Sequence, residues 1–141
     1  MDPALARERF AAARVARLAT ADATGRPHLV PIVFAVAGDT VYSAVDAKPK
    51  RSRALRRLAN VRANPAVALL VDHYDDHDWS TLWWVRADGT GRVLDLQAGA
   101  ADTEARRAVE LLAGRYSQHR LQPPLGPVLA VDVERWSGWS G

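Results

Sequence analysis

The sequence predicts a mainly β protein with peripheral helices, arranged as a small antiparallel barrel. Short apolar segments rich in valine and leucine recur along the chain, separated by turn-forming Gly, Pro, Asn and Asp residues. Two or three helical segments lie between these strands, which is typical of a barrel with helices at its periphery. At 141 residues, with no internal repeat or interdomain linker, the chain is expected to form a single domain over 1–141.

The first part of the chain predicts one helix followed by three strands. Asp2-Pro3 is suited to cap and begin a helix, and the chain changes character near Val15. Strands are predicted over 15–20, 27–37 and 40–45. Pro31 cannot donate to a β-ladder, so the second strand is expected to be an edge strand or to leave the sheet there.

The remaining sequence predicts two further helices and the rest of the barrel. One helix runs from Ser52 to about Ala63, where Asn64-Pro65 stops it, and a second long helix covers 100–118. Strands are predicted over 67–72, 79–86, 90–96 and 128–136. Asp88-Gly89 is predicted to form a hairpin turn.

Composition and motifs exclude several kinds of site. Without cysteine, the chain can have no disulfide framework, catalytic thiol or thiolate zinc site. The acidic loop 73–78 lacks the order of a known metal motif, and we expect no metal. There is no G-x-G-x-x-G, no P-loop and no nucleophile elbow. No apolar run reaches the ~18 residues of a membrane span and the start does not resemble a signal peptide, so we expect a cytoplasmic protein without a membrane partner.

Positive charge is concentrated after the third predicted strand. Residues 47–71 hold seven cations and no acidic residue, although the net charge of the chain is only +3. The seven are Lys48, Lys50, Arg51, Arg53, Arg56, Arg57 and Arg62. The first four precede or open a helix, where cations oppose the helix dipole but free N–H groups and converging side chains suit a phosphate or carboxylate. This basic strip, Lys48 to Arg57, therefore predicts an anionic ligand.

Two other interpretations of the basic strip remain open. In one, Arg56, Arg57 and Arg62 form a solvated helix face while Leu55, Leu58 and Ala59 pack inward. In the other, the strip binds nucleic acid. Single-strand binders interleave cations with exposed aromatic residues, and no aromatic residue occurs between Tyr42 and Tyr74. We therefore expect no nucleic-acid partner.

Three tryptophans lie within six residues of one another. On a strand, Trp79 and Trp83 would share one face and Trp84 would lie on the other. One interpretation is that one face fills the barrel while the other packs on a helix. The alternative is that one face enters a dimer interface or flanks an aromatic ligand.

The order of these motifs resembles the pyridoxamine 5′-phosphate oxidase-like split β-barrel family, whose fold is FMN-binding-like. Within it, the chain is most similar to the coenzyme F420 (deazaflavin) dependent oxidoreductases, over roughly residues 5–136. The segments that carry the resemblance are Arg17-Leu-Ala-Thr20, Gly25-Arg-Pro-His-Leu-Val-Pro31, Val41-Tyr-Ser43, Lys48-Pro-Lys-Arg51, Leu55-Arg-Arg-Leu58, Asn64-Pro65 and Leu70-Val-Asp72. One subgroup's signature is similar to the stretch from Trp79 to Gly89.

The resemblance implies a homodimer with two cofactor sites in grooves between the protomers. By motif position, Lys50, Arg51 and Arg53 would hold the phosphate and acidic tail, with Lys48 nearby. The other implied cofactor contacts are Ser43 and Ala44 along the cofactor, His28, Val30 and Pro31 at the ring-binding edge, and Trp79 of the partner subunit. Where many relatives carry Arg-Asn-Leu, this chain has Arg53-Ala54-Leu55, so one Asn contact is missing.

The implied chemistry is transfer of a hydride from C5 of a reduced deazaflavin to a small activated alkene or imine. Because the cofactor carries the difficult step, no conventional catalytic dyad is needed, and catalytic residues stay unassigned. His28 and Tyr42 are the candidates near the ring for proton delivery. The alternatives are an FMN-dependent enzyme of the same fold and a non-catalytic binder of a flavin, deazaflavin or haem-type ligand.

Overall fold

The computed structural model describes residues 1–44 and 51–141, and within these ranges the side chains of 51–55 and 101 are not described. The helices are α1 Pro3–Ala12, α2 Arg51–Ala63, α3 Gly99–Arg115 and α4 Ser117–Leu121, with a short 3-10 helix at Trp79–Thr81. The strands are β1 Ala16–Ala21, β2 Pro27–Ile32, β3 Ala35–Ala37, β4 Thr40–Ala44, β5 Ala66–His73, β6 Trp83–Leu94 and β7 Val128–Ser140.

The seven strands of the described ranges form one antiparallel sheet, ordered β2-β1-β5-β6-β7-β4-β3. β2 and β3 lie at opposite edges of this sheet, yet only Val33 and Phe34 separate them in sequence. Because each residue spans at most about 3.6 Å, the two edges must approach each other there, and the sheet curls into a split barrel. The mainly β fold class and the edge position of β2 are confirmed.

The barrel core lies on the inner face of the sheet and is closed by α1 and α2. Phe10 of α1 packs against Phe34, with ring centroids 4.9 Å apart. Leu58 and Val61 of α2 are buried in the same cluster. A second apolar cluster lies where α3 packs on β3, β4 and β7. Its buried members are Ala35, Tyr42, Ala44, Leu94, Ala105, Ala108, Leu112, Val128 and Ala130.

Two strand predictions were wrong in ways that affect the site. Asp88-Gly89 is not a hairpin turn, because β6 runs unbroken through it and pairs with β7 with a bulge at that point. A side chain at Gly89 would collide with the backbone oxygen of Asp132, so the close strand approach requires glycine. Trp79 is not on a strand either: it begins the 3-10 helix capped by Asp78, whose side chain accepts from the Ser80 N–H.

Two further segments are broken where continuity was predicted. The strand expected over 27–37 divides into β2 and β3 because the backbone of Phe34 bonds to the side chain of Tyr116 instead of to a neighbouring strand. The Phe34 N–H donates to the Tyr116 hydroxyl at 3.2 Å, and that hydroxyl donates to the Phe34 carbonyl at 3.0 Å. The helix expected over 100–118 ends at Arg115, and the extended backbone of Tyr116 separates α3 from α4. The last strand extends to Ser140.

A charged network fixes α3 against β4, the strand that carries the predicted site residues Ser43 and Ala44. Arg92 on β6 makes two hydrogen bonds to Glu104 of α3, both at 2.9 Å, and two to Asp132 of β7, at 2.6 and 3.0 Å. The hydroxyl of Tyr42 on β4 donates to Glu104 at 2.7 Å. Burial and this carboxylate raise the pKa of Tyr42 to about 12. The position of β4 is thereby tied to β6, β7 and α3.

Acid is expected to weaken the fold through Glu104 and Asp132. Hydrogen bonds from Arg92 hold the pKa of both carboxyls below their ordinary values. Their contribution is complete above about pH 5 and is lost as pH falls through the lowered folded-state values. The Arg92, Glu104 and Asp132 side chains are 39 %, 31 % and 47 % exposed, so solvent screening limits the effect to about 1 kcal/mol. Urea unfolding between pH 7 and 3 measures it.

The Arg92→Leu variant lacks the bonds that lower the pKa of Glu104 and Asp132. The free energy of unfolding of this variant should therefore fall less steeply with acid than that of the wild type. The matched control is Arg106→Leu, which breaks the pair between the exposed Arg106 and the half-buried Asp102 at 3.1 Å and should leave the wild-type pH profile unchanged. Parallel acid profiles for the wild type and Arg92→Leu would contradict the assignment.

Candidate functional site

The basic strip lies largely outside the described residues. Lys48 and Lys50 fall in the segment 45–50, and Arg51 and Arg53 open α2 but their side chains are not described. The predicted helix is confirmed to within one residue, since α2 covers Arg51–Ala63. The assignment of these four side chains to an anionic ligand stays a prediction.

Ser43 and Ala44 end β4, immediately before segment 45–50. Both are buried, with 6 % and 8 % of their surface exposed. Ser43 lies opposite Leu129 and Ala44 opposite Val128 of β7. Of the strands that the structure describes, only β7 pairs with this end of β4, because the pairing with β3 stops at Tyr42.

The three predicted residues of β2 divide between the two faces of the sheet. His28 lies opposite Thr20 and Val30 opposite Leu18, and both of these β1 residues are buried. His28 and Val30 therefore share the inner face. Pro31, one residue further on, lies on the outer face. It is exposed and lies opposite Arg17, which is also exposed.

A polar pocket of about 350 Å³ lies between the β1–β2 turn and α2. Its lining residues are Asp22, Arg26, Pro27, His28, Arg56 and Asn60. Asn60 is buried and donates to the Thr20 hydroxyl at 3.1 Å. The Nδ1 atom of His28 is buried and has no hydrogen-bond partner among the described residues. A buried polar atom of this kind requires a ligand or water.

The polar pocket is lined by two cations, Arg26 and Arg56, and by one acid, Asp22, whose carboxylate is engaged by its own turn. One Asp22 oxygen accepts from the Thr24 hydroxyl at 2.7 Å and from the backbone N–H groups of Thr24 and Arg26 at 2.9 and 3.0 Å. The bond from the Thr24 hydroxyl, followed by that from the Arg26 N–H, lowers the pKa of Asp22. The carboxylate fixes the turn that presents Arg26 beside α2.

The face of α2 only partly follows the solvated-helix interpretation. Arg56 and Arg62 are exposed and Leu58 is buried, as that interpretation requires. Arg57, however, is half-buried, and burial lowers the pKa of its guanidinium. Ala59 was predicted to pack inward but is exposed, because buried Asn60 and Val61 take the inner positions instead.

The polar pocket adjoins the helical positions of the basic strip. Helix positions 53, 56 and 60 are three and four residues apart, so they lie along one face of α2. Positions 56 and 60 line the pocket. An anion that enters the pocket would therefore lie on the side of α2 that the strip occupies.

The outer face of the sheet carries an apolar groove of about 620 Å³. Its lining residues are Arg17, Ala19, Leu29, Ala68, Leu69, Leu70, Asp72, His73, Tyr74, Leu82, Trp83, Trp84, Arg86 and Trp139. Leu29, Leu70 and Trp139 are 67 %, 38 % and 47 % exposed. A concave and mainly apolar surface is typical of a binding site.

The tryptophans contribute to the groove differently than predicted. Trp83 and Trp84 lie on opposite faces of β6, as expected: Trp83 packs against the barrel core, and Trp84 lies opposite Trp139 of β7. Trp79 is 67 % exposed and does not line the apolar groove of its own protomer. Its predicted approach to the partner's site remains untested.

Sequence reasoning missed Arg26 and Asn60 as site residues and missed the apolar groove. The groove had a signal, since β5 is apolar on both faces, which indicates that both faces are covered. No pattern in the sequence could indicate Arg26 and Asn60 as site residues, because only the fold brings the β1–β2 turn beside α2. In the described ranges, no group of three or more His, Asp or Glu is arranged to hold a metal. None of the helices there is long and apolar enough to cross a bilayer.

The structure is thus a split antiparallel barrel with a polar pocket beside α2 and an apolar groove on its outer face. The chain belongs to the pyridoxamine 5′-phosphate oxidase family, whose profile matches residues 3–140. No curated protein sequence matches it significantly.

Solved structures share this fold at low sequence identity. A FAD-binding protein from Mesorhizobium loti is 21% identical, with a TM-score of 0.74 over 98% of this chain and 94% of that one. The FAD-binding protein from Mycobacterium smegmatis is 18% identical, with a TM-score of 0.65 over 99% and 94%. The heme storage protein HutZ from Vibrio cholerae is 16% identical, with a TM-score of 0.69 over 99% and 95%. At these identities the likeness establishes the fold alone.

Proposed function

We propose that the chain is a coenzyme F420-dependent oxidoreductase that transfers a hydride between the deazaflavin and a small activated alkene or imine. The observation that carries the proposal is the polar pocket beside α2, which is lined by Arg26, Arg56 and His28. The fold is shared with FAD-binding proteins, so a tricyclic redox ligand is consistent with it.

The charge distribution favours the deazaflavin over FMN. Coenzyme F420 has a phosphodiester and an oligoglutamate tail, so its negative charges are spread along its length, whereas FMN has one terminal phosphate. The basic strip adds Lys48, Lys50, Arg51 and Arg53 to the two arginines of the polar pocket. An extended set of cations suits an extended anion, because each charge-assisted hydrogen bond forms at a separate position.

The polar pocket residues fit such a ligand by their chemistry. Arg26 and Arg56 are exposed donors, so they can neutralise an anion without leaving a buried charge when the ligand is absent. His28 Nδ1 can hydrogen-bond a polar ring or ribityl group, and Asn60 is held in place by Thr20. The bound deazaflavin would supply hydride chemistry, while the protein orients it and excludes water.

A homodimer completes the proposed site. The apolar groove exposes Leu29, Leu70 and Trp139 on the outer face of the sheet, and a second copy of the chain would cover them. The partner subunit's Trp79, which is exposed in each protomer, would then be available to close over the cofactor.

Titration with coenzyme F420 and with FMN, followed by fluorescence, tests the cofactor assignment. We expect saturable F420 binding that is at least about tenfold tighter than FMN binding, which corresponds to one additional charge-assisted contact. Raising the salt concentration should weaken F420 binding more than FMN binding, because more ion pairs are screened. Tighter FMN binding at every salt concentration would establish the FMN-dependent alternative instead.

The second candidate is a non-catalytic ligand carrier, favoured by the shared fold of the heme storage protein HutZ. Hydride transfer separates the two functions. The proposed enzyme should oxidise reduced F420 in the presence of a cyclic enone, whereas a carrier should bind the cofactor, or haem, without any turnover.

A further inference from the structure

A third groove, of about 450 Å³, lies between the C-terminal end of α1 and the ends of β5 and β6. The proposed cofactor chemistry does not use it. Its chemically informative residues are Arg9, Arg14, Asp72, His73 and Trp83. It shares Asp72, His73 and Trp83 with the apolar groove, so the two are continuous around the ends of the strands.

Arg9 differs from the other arginines near α1 in having a guanidinium nitrogen without a partner. Its Nη1 is buried and makes no hydrogen bond within the described part of the chain. In contrast, Arg7 pairs with Asp39 at 3.2 Å, and Arg115 donates to the backbone oxygens of Ala11 and Ala13. A buried unpaired N–H is costly, so a hydrogen-bond acceptor that reached this nitrogen would be stabilising.

The wall beside Arg9 is aromatic and flat. The guanidinium carbon of Arg9 lies 5.4 Å from the centroid of the Trp83 ring. His73 lies directly opposite Trp83 on the neighbouring strand, with ring centroids 6.3 Å apart and planes inclined by only 22°. The groove therefore places a planar guanidinium next to two nearly parallel aromatic rings.

The charges around the groove favour an anion. Arg14 is a second cation, and one of its nitrogens is held by the Arg115 carbonyl at 2.8 Å. Asp72 is the only acid lining the groove among the described residues, and it makes no ion pair with Arg9 within 4.0 Å there. Asp72 and His73 are neighbours on β5, so their side chains lie on opposite faces of the sheet.

We propose that this groove binds a planar, aromatic carboxylate. The guanidinium of Arg9 would hold the carboxylate through its fork of N–H donors, and the ring of the ligand would pack beside Trp83 and His73. The inference does not depend on how the cofactor's tail is bound, because no residue of the polar pocket or basic strip takes part; His73 and Trp83 are shared only with the apolar groove of the proposed dimer.

Calorimetric titration with benzoate and with its uncharged analogue benzamide tests the site. We expect benzoate to bind the full-length protein and benzamide to bind at least about tenfold more weakly, because the charge-assisted contact is absent. Inorganic phosphate should compete poorly, since it cannot use the aromatic wall. Equal binding of benzamide, equal competition by phosphate, or no benzoate binding would overturn the proposal.

Substitutions assign the binding to Arg9. Arg9→Gln should weaken benzoate binding at least about tenfold, and Arg9→Lys, which keeps the charge but loses the fork, should fall between it and the wild type. Arg7→Gln, on the same helix with its partner outside the groove, is the matched control and should bind benzoate as the wild type does. Thermal unfolding establishes that each variant is folded. Wild-type affinity in folded Arg9→Gln or in folded Arg9→Lys would overturn the assignment.

Discussion

Replacing Lys50 and Arg51 together by alanine is expected to weaken coenzyme F420 binding by at least ~1.5 kcal/mol, or more than about tenfold in Kd. Both residues belong to the basic strip, and Arg51 begins α2. When a cation is removed from an anion site, the complex loses a charge-assisted hydrogen bond and the associated Coulomb attraction. Fluorescence titration at low ionic strength measures the change most sensitively, because salt screens such contacts.

Arg62→Ala is the matched control for this double variant. Arg62 lies in the last turn of the same helix and is exposed. Its removal also lowers the positive charge but leaves the N-terminal end of α2 intact, so the affinity for F420 should change by less than a factor of about three. Wild-type F420 affinity in the Lys50→Ala/Arg51→Ala protein would show that the basic strip does not bind the anionic tail of F420.

Leu70→Arg is expected to dissociate the proposed homodimer. Leu70 lies within the apolar groove, between Arg17 and Arg86 on the neighbouring strands, and is 38 % exposed. A third cation in this row would have to be buried in the interface, with a loss of at least about 2 kcal/mol of association free energy, the size of a hot-spot contact. Sedimentation velocity over a dilution series measures the monomer fraction.

The control for this variant is Leu125→Arg. Leu125 is 80 % exposed and does not line the apolar groove, so the same change of charge there should leave the association constant as it is. A wild-type protein that is monomeric at all concentrations, or a Leu70→Arg protein that dimerises as the wild type does, would exclude the groove as the interface.

The elements that the sequence predicted well are those with local signals. Asp2 caps α1 and Asn64-Pro65 ends α2 because these residues satisfy or remove particular backbone groups. Asp88-Gly89 carries the same local signal as a hairpin turn, yet it forms a bulge because β7 pairs with both halves of β6. The pairing partner is more than forty residues away, so no local pattern could reveal it.

The candidate site was predictable only where one segment forms it. The basic strip is continuous in sequence and could be recognised from charge alone. The polar pocket combines the β1–β2 turn with the middle of α2, and its contact between Asn60 and Thr20 joins residues 40 positions apart. Strand alternation alone places His28 and Pro31 on opposite faces. Which of them faces the barrel interior required the register of β1 and β2, because both faces of β2 are apolar.

Binding of intact coenzyme F420, compared with the deazaflavin that lacks the phosphate and glutamates, tests the central claim most directly. If Lys48 to Arg57 binds the anionic tail, the intact cofactor should bind the wild type at least about tenfold more tightly than the tailless ring, and this advantage should shrink in Lys50→Ala/Arg51→Ala. Equal affinity of the two ligands for the wild-type protein would contradict it.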